Sequence, residues 1–308
     1  MGDTRITSTP YDDVFRTLLN DCSSLIIPMI NEIFGENYTG NERIIFSPNE
    51  HFLNQQDGNQ SERITDTSFV IKGKEEKKYH LECQSSGDNS MLVRFFEYDT
   101  QIALDEGEIR GNILTVTLPH SAVLFLRHHP SAPDRLKIRM VTPGGSVEYD
   151  IMVMKLQQYT IADIFDKNLL LLLPFYIFSH ERHFEEYERN ETELGILKGE
   201  YEQIKDRLEA LLNQGSISEY MRCTIIDMSN KVLEHIAKKY DAVRKGVKSV
   251  MGGKVLEYEA KTIRNEGLKE GIRGTVSILK KMNIPPQAIQ AQIQEQYDLS
   301  PEESKKYL

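Results

Sequence analysis

Cysteine is scarce in this chain. Its 308 residues include three, Cys22, Cys83 and Cys223, with no two at a pairing or metal-ligand spacing. That excludes a disulfide-stapled scaffold and suits a reducing, cytoplasmic setting. Long apolar runs are missing too. The most apolar stretch, Leu169 to Phe178, is interrupted by Pro174. It is far shorter than the ~20 residues of a membrane-spanning helix. The opening residues, MGDTRITSTPYDD, hold no apolar core of a secretory leader. No membrane partner is therefore expected. No GxxxxGK[ST], GxGxxG or GxSxG pattern occurs, which leaves nucleotide-binding and α/β-hydrolase readings without support. Excess positive charge is absent as well. The net charge is −10, which argues against a broadly basic nucleic-acid-binding protein.

That charge is unevenly spread. Residues 231–308 hold 15 Lys+Arg against 10 Asp+Glu, and the remainder holds 22 against 37. A local basic surface for DNA would form in the C-terminal part, although Lys-rich helices are commonly just solvated faces. With 39% hydrophobic and 27% charged residues, the chain is a soluble globular protein of one large or two smaller domains.

Strand and helix signals divide it near residue 184. Asp12 to Phe34 reads as a helix with a break near Pro28, ended by Gly35. A short strand is expected at Ile44–Phe46. Further strands are expected at Ile113–Leu118, Ala122–Leu126, Leu136–Val141 and Val147–Leu156, the last buried on both faces. Pro143-Gly144-Gly145 marks a hairpin turn. Ile161 to His183 reads as a helix kinked at Pro174. From Glu185 strand signals stop, and helices are expected around residues 194–212, 218–248, 255–281 and 286–297, with another opening at Ser300-Pro301. The expectation is an α/β domain over 1–184 and a helical region over 185–308.

The most informative stretch runs from Thr65 to Tyr98. Thr67, Phe69 and Ile71 alternate with Asp66, Ser68 and Val70, and after a polar turn Tyr79, Leu81 and Cys83 alternate with His80, Glu82 and Gln84. Folded as a hairpin, the chain brings Asp66 opposite the Glu82–Gln84 end. Paired strands lie roughly 4.8 Å apart, so two carboxylates there can reach one Mg²⁺. A helix follows, with Met91, Leu92, Phe95 and Ile102 as its apolar stripe. Arg94, Tyr98 and Gln101 form a polar line along it.

These residues carry a resemblance. Asp66 followed by Glu82-Cys83-Gln84 is similar to the D…ExQ form of the PD-(D/E)XK nuclease motif. Arg94-x3-Tyr98 resembles the arginine/tyrosine helix of the recombination-promoting nuclease / putative transposase family. Asp12-Asp13-Val14-Phe15-Arg16 looks like that family's opening D-x-x-F-K signature, with Arg16 for Lys. Glu266 to Gly271, and Leu299 to Glu303 after the next helix, are similar to its usual tail.

The resemblance implies a restriction-endonuclease-like α/β core, a mixed sheet flanked by helices, followed by an all-helical C-terminal region. It implies a Mg²⁺-dependent DNA endonuclease, with Mn²⁺ as a substitute metal, linked to recombination or mobile elements. Asp66, Glu82 and the Cys83 carbonyl would hold metal. Gln84 would position the attacking water where the wider superfamily has lysine. Arg94 and Tyr98 would contact phosphate or support the ligands, and Asp12 would join the active site. Plainer roles stay open: Asp12 suits a helix N-cap, Glu82 a solvent-facing strand position, and Arg94 and Tyr98 a surface arginine and a core tyrosine. His128-His129, His180 and His183 lack a companion ligand set and read as loop or structural positions.

Two other functions remain open: a catalytically weak nucleic-acid-binding or recombination-accessory protein, and a helical interaction module on an inactive scaffold. A homodimer is also expected. Leu194, Leu197, Tyr201, Ile204, Leu208 and Leu211 alternate at three and four residues, as in a coiled-coil seam, though packing within the chain would use the same stripe.

Overall fold

The computed structural model describes residues 10–46, 50–54, 60–64, 67–85, 90–127, 132–252, 269, 271–282, 284–297 and 304–307. Helix α1 (Pro10–Asp21) starts on a proline, whose missing N–H costs nothing there. Asp12 and Asp13 in its first turn complement the helix dipole. Val14, Phe15, Leu18 and Leu19 supply its buried stripe. The chain then breaks at Cys22–Leu25 through a short 3₁₀ turn, and α2 (Ile26–Phe34) follows. The break therefore precedes Pro28. Pro28 sits in the first turn of α2, where helix N–H groups lack intrahelical partners anyway. Gly35 ends α2 at φ 67°, a left-handed position that glycine adopts without a Cβ penalty.

Five strands precede the next helix: β1 (Arg43–Phe46), β2 (Glu50–Asn54), β3 (Gln60–Ile64), β4 (Thr67–Lys72) and β5 (Glu76–Gln84). Helix α3 (Met91–Asp105) leads into a small ribbon, β6 (Glu108–Arg110) and β7 (Ile113–Thr115), and then to β8 (His120–Phe125), β9 (Arg135–Thr142) and β10 (Gly145–Lys155). One six-stranded mixed sheet has the order β1-β4-β5-β8-β10-β9. β1, β4 and β5 run antiparallel, β8 is parallel to both β5 and β10, and β9 is antiparallel to β10.

The period-2 pattern of β5 sorts its side chains to two faces. Tyr79, Leu81 and Cys83 join the large core made with α1 and α2. The opposite face lies under α3, where Met91 and Phe95 pack on Val123, Phe125 and Ile151.

β10 departs from its expectation. Its Ile151–Lys155 end is mostly buried, but its first residues are largely exposed. β8 pairs only Met152–Lys155, so the outer part of β10 forms a two-stranded ribbon with β9 beyond the rest of the sheet. Along the ribbon Arg139 faces Glu148 and Lys137 faces Asp150.

The stretch expected as one kinked helix is two elements. α4 (Ile161–Asp166) carries a Thr160/Asp163 capping box. Asn168, at φ 55°, turns the chain, and a 3₁₀ helix covers Leu170–His183. The run Leu169 to Phe178 is buried on all sides. It has no amphipathic stripe to favour one α-helical face, and Pro174 lacks the N–H for an i→i−4 bond.

α5 (Phe184–Arg189), α6 (Glu191–Asn213), α7 (Glu219–Ile236) and α8 (Asp241–Met251) follow. The helix expected over 218–248 is split at Ala237–Tyr240. Asn190 and Ser218 cap α6 and α7, each accepting backbone N–H groups of the first turn. α7 packs on α1 and on the 3₁₀ helix, and α6 packs on α5 and α8.

The α6 stripe fills from within: Leu197, Tyr201, Ile204 and Leu208 are buried in the chain's own core, with Leu194 and Leu211 against it. The seam that suggested a homodimer is internal packing. Core residues run continuously from Tyr11 to Met251, so the change of character near residue 185 is one from strands to helices within a shared core. A second small cluster, Ile272, Val276, Ile289 and Ile293, joins residues 271–281 to the helix Pro286–Tyr297. The expected helix start at Ser300-Pro301 lies outside the described residues.

Among the described residues no helix is long and apolar enough to cross a membrane.

Candidate active site beneath helix α3

Glu82 stands in the middle of the sheet. β4 and β8 flank its strand and α3 covers its face, leaving it 2% exposed. Gln84, two residues on and therefore on the same face, donates from Nε2 to Glu82 Oε2 at 3.2 Å. Arg94, in the first turn of α3, brings Nη2 to 3.5 Å from the same oxygen. On the other side His80 Nε2 lies 3.8 Å from Glu82 Oε1. Burial pushes the Glu82 carboxyl above its ordinary range, against the pull of His80 and Arg94.

Arg94 is 16% exposed. A guanidinium offers five N–H donors. Its Nε and Nη2 are buried and make no hydrogen bond among the described residues, so Glu82 is met by charge and not by the usual two-pronged fork.

A second polar group adjoins this one. His80 Nδ1 lies 2.7 Å from Asp99 Oδ1, and both side chains are fully buried. Ser121 Oγ donates to the same oxygen at 2.8 Å, and the Tyr149 hydroxyl donates to Oδ2 at 3.2 Å. Burial and the Asp99 carboxylate push the Tyr149 phenol upward. Serine here donates to aspartate and is shut from solvent, so this is a structural network and not a nucleophile–base–orienter relay.

The structure brings together Glu82, Gln84 and Arg94, with Tyr98 buried at the edge of the His80 ring, centroids 6.0 Å apart. Asp66 lies outside the described residues; Thr67, the next residue, pairs with Leu81, the neighbour of Glu82. The Cys83 side chain belongs to the opposite core, so only its backbone could serve the Glu82 side. Asp12 sits in the first turn of α1, a helix packed on that opposite face. Its neighbour Tyr11 interacts with Arg127, which donates to the Ser85 carbonyl at 3.1 Å, at the end of β5 that carries Gln84. Gln101, further along the same line, donates to Asp105 at 2.9 Å in its own helix and not to Glu82.

Asp99, Ser121 and Tyr149 were not expected at the site. Asp99 had a visible signal: it occupies the buried stripe of α3 between Phe95 and Ile102, where a lone carboxylate requires partners. Among the described residues no group of three His, Cys, Asp or Glu side chains is placed to hold a metal ion.

No protein-family model matches the chain, and neither the curated proteins nor the solved structures contain a significant match.

Proposed function

We propose that this protein is a Mg²⁺-dependent DNA endonuclease with a restriction-endonuclease-like core. The observation that carries the reading is the pairing of a buried carboxylate, Glu82, with an arginine 3.5 Å away whose inner donors make no hydrogen bond among the described residues. Phosphodiester chemistry needs both an oxygen ligand for a hard cation and a cationic donor for phosphate oxygen. Their placement, with Gln84 alongside, follows the residues named by the family resemblance.

Glu82 offers a hard oxygen ligand of the kind Mg²⁺ takes, buried beneath α3. Glu82 would hold the metal with Asp66 and the Cys83 carbonyl. The bound cation would acidify a water and neutralise charge on the phosphate. Gln84 can orient a water through its amide. Arg94 binds a phosphate oxygen, and Tyr98 packs behind it against His80.

Cleavage of supercoiled plasmid with Mg²⁺, with chelator, and by Glu82→Gln tests the proposal. Metal-dependent nicking by the wild type and none by the folded variant is expected. Equal nicking by both would overturn it.

A second reading, a DNA-binding or recombination-accessory protein, is favoured by one feature: Arg94 already serves as the counter-ion of Glu82. DNA binding that is indifferent to Mg²⁺, with no cleavage, would select it. The basic C-terminal part would then be tested by salt dependence, bearing in mind that Arg244 and Lys248 there pair with Glu234 and Asp241.

A further inference from the structure

Asp99 is fully buried on α3 and accepts three hydrogen bonds, from His80, Ser121 and Tyr149. The donors stand on β5, β8 and β10, three neighbouring strands. One carboxylate thus ties the helix across half of the sheet. Arg94 lies on the same helix, so the tie also sets where its guanidinium stands over β5.

The imidazole is held as firmly. A carboxylate that already receives Ser121 and Tyr149 acts as an acceptor toward the ring, so Nδ1 donates to it and Nε2 faces Glu82. Phe95 packs on the ring at 5.0 Å between centroids, and Tyr98 meets its edge. The two oxygens of Glu82 then have different neighbours: Oε1 faces His80, and Oε2 faces Arg94 and Gln84.

We infer that Asp99 and His80 are positioning residues, which fix the rotation of the Glu82 carboxylate, and the place of Arg94 beside it, for holding a divalent cation and a phosphate. This rests on the nuclease reading above. Neither residue touches substrate; each acts through Glu82 or Arg94.

The test compares Asp99→Ala, Asp99→Asn, His80→Ala and Tyr149→Phe with the wild type. Asp99→Asn keeps an acceptor for His80 and Ser121 and can donate to the Tyr149 oxygen. Tyr149→Phe removes one hydrogen bond and keeps the carboxylate. Mn²⁺ affinity is measured calorimetrically, kcat and KM on plasmid, and the melting temperature on each variant. Asp99→Ala and His80→Ala should weaken Mn²⁺ binding and kcat by about 10–100-fold with little change in KM. Asp99→Asn should restore most of both.

A merely structural role would lower melting temperature and leave Mn²⁺ affinity of the folded protein unchanged. Wild-type Mn²⁺ affinity and kcat in folded His80→Ala overturns the inference. If the alanine variants do not fold, Tyr149→Phe decides it: an intermediate loss of Mn²⁺ affinity and kcat supports the inference, and wild-type values of both overturn it. A wild type that binds Mn²⁺ through Glu82 yet cuts no DNA removes the nuclease reading alone, and the Mn²⁺ affinities still judge the positioning. A wild type that binds no Mn²⁺ removes both.

Discussion

The two faces of strand β5 differ in kind. Toward α1 it presents Tyr79, Leu81 and Cys83 to an apolar core that also holds Phe15, Phe69 and Phe175. Toward α3 it presents His80, Glu82 and Gln84 to partners at hydrogen-bond or ion-pair distance. Apolar burial is non-directional and scales with area, so the first face tolerates rearrangement that conserves volume. Buried polar groups are worth having only when each is satisfied, so the second face depends on particular atoms. The first face makes the fold, and the second is where chemistry can be placed.

The largest test of this division is on activity. Glu82→Gln keeps the shape of the polar face and removes its charge, and Mg²⁺-dependent cleavage should fall by at least about 100-fold in a plasmid assay. Next are changes to the apolar face. Phe69→Ala should cost about 3–5 kcal/mol in a denaturant titration. Ile204→Glu, which puts a charge in the same core from α6, should unfold the protein without first changing its mass in sedimentation. A variant that stayed folded while a dimer dissociated would return the α6 stripe to an interface. At the periphery, Ser218→Ala removes the cap of α7 and should cost about 1 kcal/mol, read from the same titration.

The subtlest test uses pH to separate two carboxylates. Glu82 has its pKa raised above the ordinary 4.5 by burial. Its contribution to stability is full below that value and is lost as pH rises through the folded pKa. Glu82→Gln should therefore melt above the wild type at neutral pH and match it in acid. Glu200, 2.9 Å from His180 Nε2 and accepting from Tyr176 at 2.8 Å, has its pKa lowered. Its contribution is present above 4.5 and is lost as pH falls, so Glu200→Gln should flatten the acid limb of the melting curve. A Glu82→Gln protein that melts lower at neutral pH would show that His80 and Arg94 outweigh burial at the polar face.

Period-2 alternation made the β4–β5 hairpin legible from the chain alone, and with it the common face of Glu82 and Gln84. The α3 stripe was legible for the same reason, because helical spacing is a local property. Asp99 was legible as a carboxylate on that stripe in need of partners, but its three donors were not, since they come from strands distant in sequence. The break between α1 and α2 was expected at Pro28, but a proline in a first turn disturbs nothing, and the chain bends earlier at Cys22–Leu25. The α6 stripe had two possible destinations, and only the packing of α5 and α8 against it decided between them. Spacing reports that a face must be covered and does not say by what.

The β9–β10 ribbon bears on how this protein behaves in a crowded solution. β9 is the last strand of its sheet, and a sheet's final strand offers backbone groups on which another chain can grow. Here Arg135, Lys137 and Arg139 alternate along that strand and are exposed, each near an acidic side chain of β10. A second molecule arriving edge-on would have to strip water from that charged row before its backbone could dock. Exchanging the three basic residues for threonine would leave the strand intact and open it to polymerisation.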